Sequence, residues 1–483
     1  GIKFDFMLSN PPYGKSWASE QKYIKDGKDV IDSRFIVNLA DYWGNKSDVD
    51  ATPRSSDGQL LFLMEMVGKM KPSSSNGIGS RIASVHNGSS LFTGDAGGGE
   101  SNIRRYIIEN DLLDAIIQLP NNLFYNTGIT TYIWLLSNNK AQNRKGKVQL
   151  IDANDLYSKL RKNLGDKNCE LEPKHIAKIM EVYSKFETYD DEIDGKKISS
   201  KIFDNSDFGY YKVQIERPKR LKAQFRDDLI ETLKYDKTLE EAMIWCEQEY
   251  KEECYNDLTK YKKAIEEHLD KNDIELNTKQ LKSLLSKELW KKHKMLVDTA
   301  KLLKEKIGTT TYDDFNIFKE KVEKILKEHK LSLSASEKNM ILNAVSWYDE
   351  TAQKVIKKIS KMFGDKLEKL CENLGCKESE LSDFGYYPTG KKDEFVEYES
   401  DTDLRDSENI PLKDDIYQYF LKEVKPHVQE AWINLDSVKI GYEISFNKYF
   451  YTHKPLRSLE EVAKDILELE NASDGLIKEI LGL

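Results

Sequence analysis

The stretch FDFMLSNPPYGKSW places an asparagine, two prolines and a tyrosine directly after a run of apolar residues. Proline has no N–H to donate and a fixed φ, so Pro11 and Pro12 make a stiff, extended turn. Such a turn leaves the carbonyls of Asn10 and Pro11 pointing outward as acceptors, and the Asn10 side chain adds another. Together they suit a planar –NH2 group and can accept both of its hydrogens. Holding those hydrogens encourages the nitrogen to pyramidalise, which frees its lone pair for an electrophile. Tyr13 supplies a flat face for stacking, worth roughly 1–3 kcal/mol per base in nucleic-acid sites. Asn10, Pro11, Pro12 and Tyr13 are therefore the candidate site for an amine nucleophile carried on a flat ring or amide. A plain Asn-Pro turn ending a strand is the alternative that these four residues leave open.

The elements that must position this turn alternate short apolar runs with helical stretches over the first 150 residues, as in a parallel α/β sheet. Ile2–Leu8 reads as a buried strand, Gln59–Lys71 as a helix stopped by Pro72, and Gly79–Val85 as a second strand. Ser101–Asn110 reads as a helix, and Ala115–Gln118, Thr130–Leu136 and Lys147–Asp152 as further strands. Ligands of open α/β sheets sit beyond the carboxyl ends of the strands, which is where Asn10–Tyr13 falls.

Asn122–Gly128 follows the third strand and belongs to the same sheet edge. Phe124 and Tyr125 are candidates for walling a base pocket, with core packing as the alternative. GDAGGG at 94–99 lacks the GK[ST] of a phosphate loop and reads as a flexible loop at the mouth of the site. His86 and Asn87 end a strand in the same way, but without a partner they receive no catalytic role. Two basic clusters are candidates for tracking phosphates: Lys159, Arg161, Lys162 and Lys167, then Arg217, Lys219, Arg220, Lys222 and Arg226. Such contacts position a nucleic acid without reading its sequence. A solvated basic surface is the alternative for each.

From about Phe225 to Cys376 the chain is dominated by Lys and Glu with apolar residues at helical spacing, and it contains no proline. Several long antiparallel helices are expected there. A polar linker is expected over about 391–408. Ser458 and Glu461 then form a capping box, after which Leu459, Val462, Ile466, Leu469, Ser473, Leu476 and Ile480 repeat at steps of three and four. That spacing is a coiled-coil seam with one polar position, suited to a partner's helix or to docking on its own domain.

With 483 residues, the chain is long enough for two to four domains. No apolar run approaches the roughly 20 residues of a membrane span, and no export signal opens the chain. The five cysteines form no CxxC pair and have no histidine at metal-ligand spacing, so no metal site is expected and a reducing cytoplasm suits them. A net charge of −9 argues against a wholly polyanion-binding surface, though not against a local basic groove.

The sequence resembles a known family. Asn-Pro-Pro-Tyr at the end of a strand resembles the signature of S-adenosylmethionine-dependent amino-methyltransferases, including adenine-N6 DNA methyltransferases. GQLLFLMEMVGKMK, GIGSRIASVHNGSSLFTGDAGGGESNIRRYIIENDLLDAIIQLPNNLFYNTGITTYIWLLSN, GKVQLIDANDLYSKLRKNLGDKN, YYKVQIERPKRLKAQF, SASEKNMILNAVSWYDETA, LRDSENIPLKDDI and VKIGYEISFNKYFYTHKPLRSLEEV look like the modification subunit of type I restriction–modification systems, the HsdM type. They are spread over nearly all of the chain, apart from parts of the charged middle. The resemblance implies a Rossmann-like methyltransferase sheet followed by a long, mainly helical region and a terminal helix. It implies methyl transfer to an adenine flipped out of double-stranded DNA, at a cost of a few kcal/mol. Asn10 and the Pro11 carbonyl would hold the N6 amino group, and Tyr13 would stack on the base. Implied partners are a specificity subunit, which reads the DNA sequence and takes the terminal seam, and a restriction subunit in the full complex.

In that family a glycine-rich cofactor turn, a following acidic residue and a helical amino-terminal domain precede the Asn-Pro-Pro-Tyr strand. None of them is found ahead of Asn10 here. The expectation is a carboxy-terminal portion of such a subunit, inactive alone, in which S-adenosylmethionine binding needs the amino-terminal part. The expected regions are a partial catalytic domain at 1–165, a connecting segment with the basic clusters at 166–224, a charged helical region at 225–380, and a carboxy-terminal region at 381–483. A methyltransferase for a protein glutamine or another nucleic-acid amine, and a non-catalytic assembly module, are the competing readings.

Overall fold

The structure is a computed structural model that describes residues 2–73, 77–451 and 458–469. It divides into two compact units. The first comprises Gly1–Tyr211, Pro411–Lys413 and Lys439–Leu483; the second comprises Lys212–Ile410 and Asp414–Val438.

In the first unit the strands of four or more residues up to Asp204 are, in chain order, β1 (Phe6–Ser9), β2 (Ile36–Ala40), β3 (Lys46–Asp50), β4 (Arg81–Asn87), β5 (Leu113–Gln118), β6 (Thr131–Ser137), β7 (Lys147–Asp152), β8 (Ser158–Leu164), β9 (Lys167–Glu170), β10 (Tyr189–Ile193) and β11 (Lys196–Asp204). Seven of them form one sheet, ordered β1-β4-β6-β5-β7-β11-β10. The expectation of a parallel sheet is corrected here, because the sheet is mixed. β1 runs parallel to β4, and β5 to β7, whereas β6 lies antiparallel to both of its neighbours. The physical reason is the 119–130 connection. A parallel return needs a crossover, usually a helix, and that stretch contains none, so the chain comes straight back.

Alternation along the strands builds two cores. Ile116 and Leu150 face one cluster, and Ile117 and Ile151 face the other, because successive strand residues point to opposite faces. The first face is covered by helices α1 (Gln59–Gly68) and α2 (Gly99–Glu109), which bury Leu60, Leu63 and Met64, and Ile103, Ile107 and Ile108. The second is covered by α3 (Pro173–Lys185) through Ile179 and Val182. β1 is shorter than the expected Ile2–Leu8 strand and is not buried. It holds the sheet's edge with Met7 inward and Leu8 85% exposed. α1 ends at Gly68 rather than Lys71, because Met70 joins Phe4 in a parallel bridge.

The first unit also takes in residues from far along the chain. Arg104 is fully buried; its Nε donates to the Tyr442 carbonyl at 2.6 Å and its Nη1 to the Ser90 carbonyl at 3.2 Å. Burial pulls its pKa down to about 10. Ser101 accepts from the Tyr442 N–H, and Phe446 packs edge-on against Tyr132.

In the second unit the charged middle is helical, but mostly in short pieces. Lys287–Ile307 is the long helix, with 21 residues, and Glu240–Tyr250, Lys262–Lys271, Phe315–Glu328 and Ala335–Ala344 run 10 to 14 residues. The expectation of several long antiparallel helices is corrected, because one helix is long and Ser346–Tyr348 and Ile356–Lys361 are strands within a mainly helical region. The expected linker at 391–408 contains the strand Glu394–Tyr398, whose Phe395 and Val396 are buried beneath charged neighbours.

No helix among the described residues is long and apolar enough to cross a membrane. Among the same residues, no group of three or more His, Cys, Asp or Glu side chains is placed to hold a metal ion.

Arg104→Ala should lower stability by about 3 kcal/mol, because two charge-assisted hydrogen bonds and their packing are lost. Urea unfolding measures the loss. Faster amide exchange confined to 439–450 would identify the segment released.

Candidate active site

β1 stops where its donors stop. Ser9 pairs with Ser84 in the ladder, and the prolines that follow cannot extend it. Pro11 turns inward and is buried, whereas Asn10 and Pro12 are exposed and Tyr13 is half-buried. Burial raises the Tyr13 hydroxyl above its ordinary value, so the ring stays neutral in the physiological range. An exposed acceptor amide and a half-covered aromatic face thus stand at the carboxyl end of an edge strand.

The chain after Tyr13 is laced to 54–58. Gly14, at a φ of +67°, donates its N–H to Asp57 Oδ1 at 3.1 Å. The Lys15 carbonyl accepts from Gly58 N–H at 3.1 Å, and Trp17 N–H donates to the Ser55 carbonyl at 2.9 Å. Trp17 Nε1 reaches the Arg54 carbonyl at 2.9 Å. A Cβ on Gly58 would lie 3.1 Å from the Trp17 ring, so a side chain there would crowd it.

Behind this lacing lies a buried polar network that sequence reasoning missed. Asp57 Oδ2 accepts from Gln59 Nε2 at 2.7 Å and from Ser89 Oγ at 3.1 Å. Gln59 Nε2 also donates to Asn87 Oδ1, and Gln59 Oε1 accepts from the Asn87 N–H. His86 Nδ1 stands 3.1 Å from the same Gln59 oxygen. Burial depresses the His86 pKa to about 3, so its ring is neutral and carries the proton on Nδ1 to donate. His86 and Asn87, which had no partner in the sequence, find one in Gln59. The signal available was Asp-Gly-Gln directly ahead of an apolar helix, a common way to start one.

The sheet register puts Ser9, Asn87, Gln118 and Thr131 at one edge. The 119–130 loop therefore shares the edge of Asn10, three strand spacings or ~14 Å across. Phe124 packs against the core of the second face. Tyr125 is exposed, with Lys167 5.4 Å above its ring. The hairpin β8–β9 bonds to this loop, Asp166 N–H donating to the Tyr125 carbonyl and Asn168 N–H to that of Asn122. Lys159, Arg161 and Lys162 stand exposed on that hairpin.

The second basic cluster lies in the second unit, and much of its charge is met internally. Arg220 pairs with Glu430 at 2.6 Å, Lys222 lies 3.2 Å from both Asp313 and Asp349, and Arg226 pairs with Asp228. Lys219 bonds through its backbone N–H to the Glu399 carbonyl. Arg217 Nε is buried without a hydrogen-bond partner.

The glycine-rich stretch is not a flexible mouth. Gly99 opens α2 with its backbone against Thr52, where a Cβ would come within 1.7 Å of the Thr52 carbonyl oxygen. Glu100, buried beside it, accepts from Arg54 N–H at 2.9 Å. These glycines serve close packing and do not fit a nucleoside cofactor. At the carboxyl end, Ser458 and Glu461 form the expected capping box and open a helix over 459–469. Leu459 is 89% exposed, and Val462, Ile466 and Leu469 are exposed too. Ser473, Leu476 and Ile480 lie outside the described residues.

Residues 2–219 match the family model described as N-6 DNA Methylase. Over 193 residues the chain is 29% identical to the type I restriction enzyme MjaIX methylase subunit of Methanocaldococcus jannaschii, covering 40% of this chain and 30% of that protein. Over 196 residues it is 30% identical to the type I restriction enzyme HindI methylase subunit of Haemophilus influenzae, covering 39% and 40%. A crystal structure of a type I restriction-modification methyltransferase subunit from Streptococcus thermophilus aligns over 42% of this chain and 35% of that one, at 24% identity and a TM-score of 0.31. The family and curated matches support an HsdM-type subunit, and the chain spans well under half the length of these curated relatives.

The neutral, buried His86 makes a pH prediction. The unfolded chain titrates this group near 6.5 and the folded one near 3, so between those values the unfolded state holds more protons. Stability is therefore complete above about 6.5 and falls as pH drops towards 3. His86→Asn keeps a donor to Gln59 without the titration, and should flatten the fall between pH 7 and pH 5 in urea unfolding. An unchanged slope would mean that the ring is charged in the fold.

Proposed function

We propose that this chain carries the base-holding side of an adenine-N6 DNA methyltransferase, as part of the modification subunit of a type I restriction–modification system. The observation that carries the reading is Asn10-Pro-Pro-Tyr13, held at the carboxyl end of an edge strand within the region that matches N-6 DNA methylases. The sheet from β1 to β5 is the carboxyl half of a Rossmann-like methyltransferase sheet in this proposal.

Asn10 Oδ1 and the Pro11 carbonyl accept the two hydrogens of the adenine N6 amino group. Tyr13 stacks on the flipped ring, and catalysis is chiefly the positioning of the amine lone pair. Phe124 and Tyr125 flank the same edge. The exposed hairpin bearing Arg161 and Lys162 tracks the DNA backbone, with Arg217, Lys219 and Arg220 as weaker candidates because Arg220 is already paired. The family generally uses S-adenosylmethionine as methyl donor. The glycine-rich stretch of this chain does not fit that donor. The helix at 459–469 offers Leu459, Val462, Ile466 and Leu469 to helices of the specificity subunit, and the restriction subunit joins the assembled complex.

Asn10→Ala in the complete subunit should cut methylation of cognate DNA by at least about 10²-fold while the complex still assembles. Unchanged methylation would refute the role of Asn10. Calorimetric titration of S-adenosylmethionine into this chain should give no binding heat, and micromolar binding would reveal a donor site elsewhere in it. Deleting residues from Ser458 onward should abolish capture by the specificity subunit in a pull-down; retained capture would sink the docking role of that helix.

A further inference from the structure

Asp57 is a carboxylate only 7% exposed, and it pairs with no cation among the described residues. A buried charge is tolerated where it is fully hydrogen-bonded, and this one accepts four times: from the backbone N–H groups of Gly14 and Gln59, from Gln59 Nε2 and from Ser89 Oγ. Three of those donors lie on α1 or just after β4, elements that the sheet and its core hold rigid. The fourth is the peptide that joins Tyr13 to Gly14. The carboxylate therefore ties the end of the Asn-Pro-Pro-Tyr turn to two fixed elements at once.

We propose that Asp57 is a positioning residue for the transferase site, its carboxylate clamping the Tyr13–Gly14 peptide and so setting the plane of the stacking ring. Gln59 fixes the direction of the clamp. Its carbonyl oxygen is committed to Asn87 N–H and His86 Nδ1–H, so its –NH2 must face Asp57. An acceptor at Oδ2 is then required, because an amide nitrogen there would face the Gln59 –NH2. The proposal rests on the base-stacking reading of Tyr13, but the clamp itself can be measured apart from it.

In the stretch Pro11–Gly14 the only backbone N–H groups belong to Tyr13 and Gly14, and Asp57 holds that of Gly14, so the slower-exchanging of the two sites reports on the clamp. In the full chain this peptide should exchange slowly, and Asp57→Asn should speed it by at least about tenfold. Exchange at the rate of free coil in the unaltered chain would overturn the proposal without any variant. In the assembled enzyme, Asp57→Asn should lower the methylation kcat about 10²-fold, with DNA affinity within a factor of about two, because a misplaced ring costs rate more than binding.

Unchanged exchange of the Gly14 N–H, or an unchanged kcat, in a folded Asp57→Asn variant would overturn the proposal. If Asn10→Ala leaves methylation intact, the transferase reading fails instead, and the exchange result still decides whether the clamp exists.

Discussion

A proline pair cannot donate to a strand ladder, and most of the site's architecture answers that constraint. Once β1 has spent its last donor, the chain must leave the sheet, and the N–H groups after Tyr13 need partners outside it. The segment 54–58 takes the Gly14 and Trp17 N–H groups on the Asp57 carboxylate and the Ser55 carbonyl, and its own Gly58 N–H donates back to the Lys15 carbonyl. Because 54–58 also starts α1, the turn inherits the placement of a helix whose Leu60, Leu63 and Met64 are anchored in the core. The exposed amide and half-covered ring of the motif thus rest on a rigid base, as a site that works by geometry demands.

The polar network beneath the turn extends that base to the next strand. Asp57, Gln59, His86, Asn87 and Ser89 exchange hydrogen bonds in a small volume from which water is largely excluded. Each bond there fixes the direction of the next, since an amide that gives its oxygen to one neighbour must give its nitrogen to the other. A depressed His86 pKa belongs to this scheme, because a neutral ring supplies one directed donor where a charged ring would supply two.

Much of this was legible in the sequence, and the parts that were not share a cause. Local signals held up well. Lys147–Asp152 is a strand with the expected bounds, and Ser458 with Glu461 caps a helix as its spacing predicts. What local patterns could not express was pairing. The direction of β6, the edge position of β1 and the strand at Glu394–Tyr398 are decided by which backbone lies alongside, and periodicity is silent on that. The same holds for the site. Asn10–Tyr13 declared themselves by residue type, whereas Asp57 and Gln59 look like any helix start until Gly14 and Asn87 are brought beside them.

The bond between Arg104 and the Tyr442 carbonyl spans 338 residues of chain, and the whole second unit lies between its two ends in the sequence. On a ribosome adding ~5–20 residues per second, the Arg104 side chain emerges roughly 20–70 s before its acceptor exists. During that interval a guanidinium destined for full burial stays hydrated, and the niche later filled by Tyr442, Ile444 and Phe446 lies open. Completion of the first unit is therefore a late event in synthesis, and a nascent chain stalled within the second unit carries a methylase-like sheet that lacks its final seal.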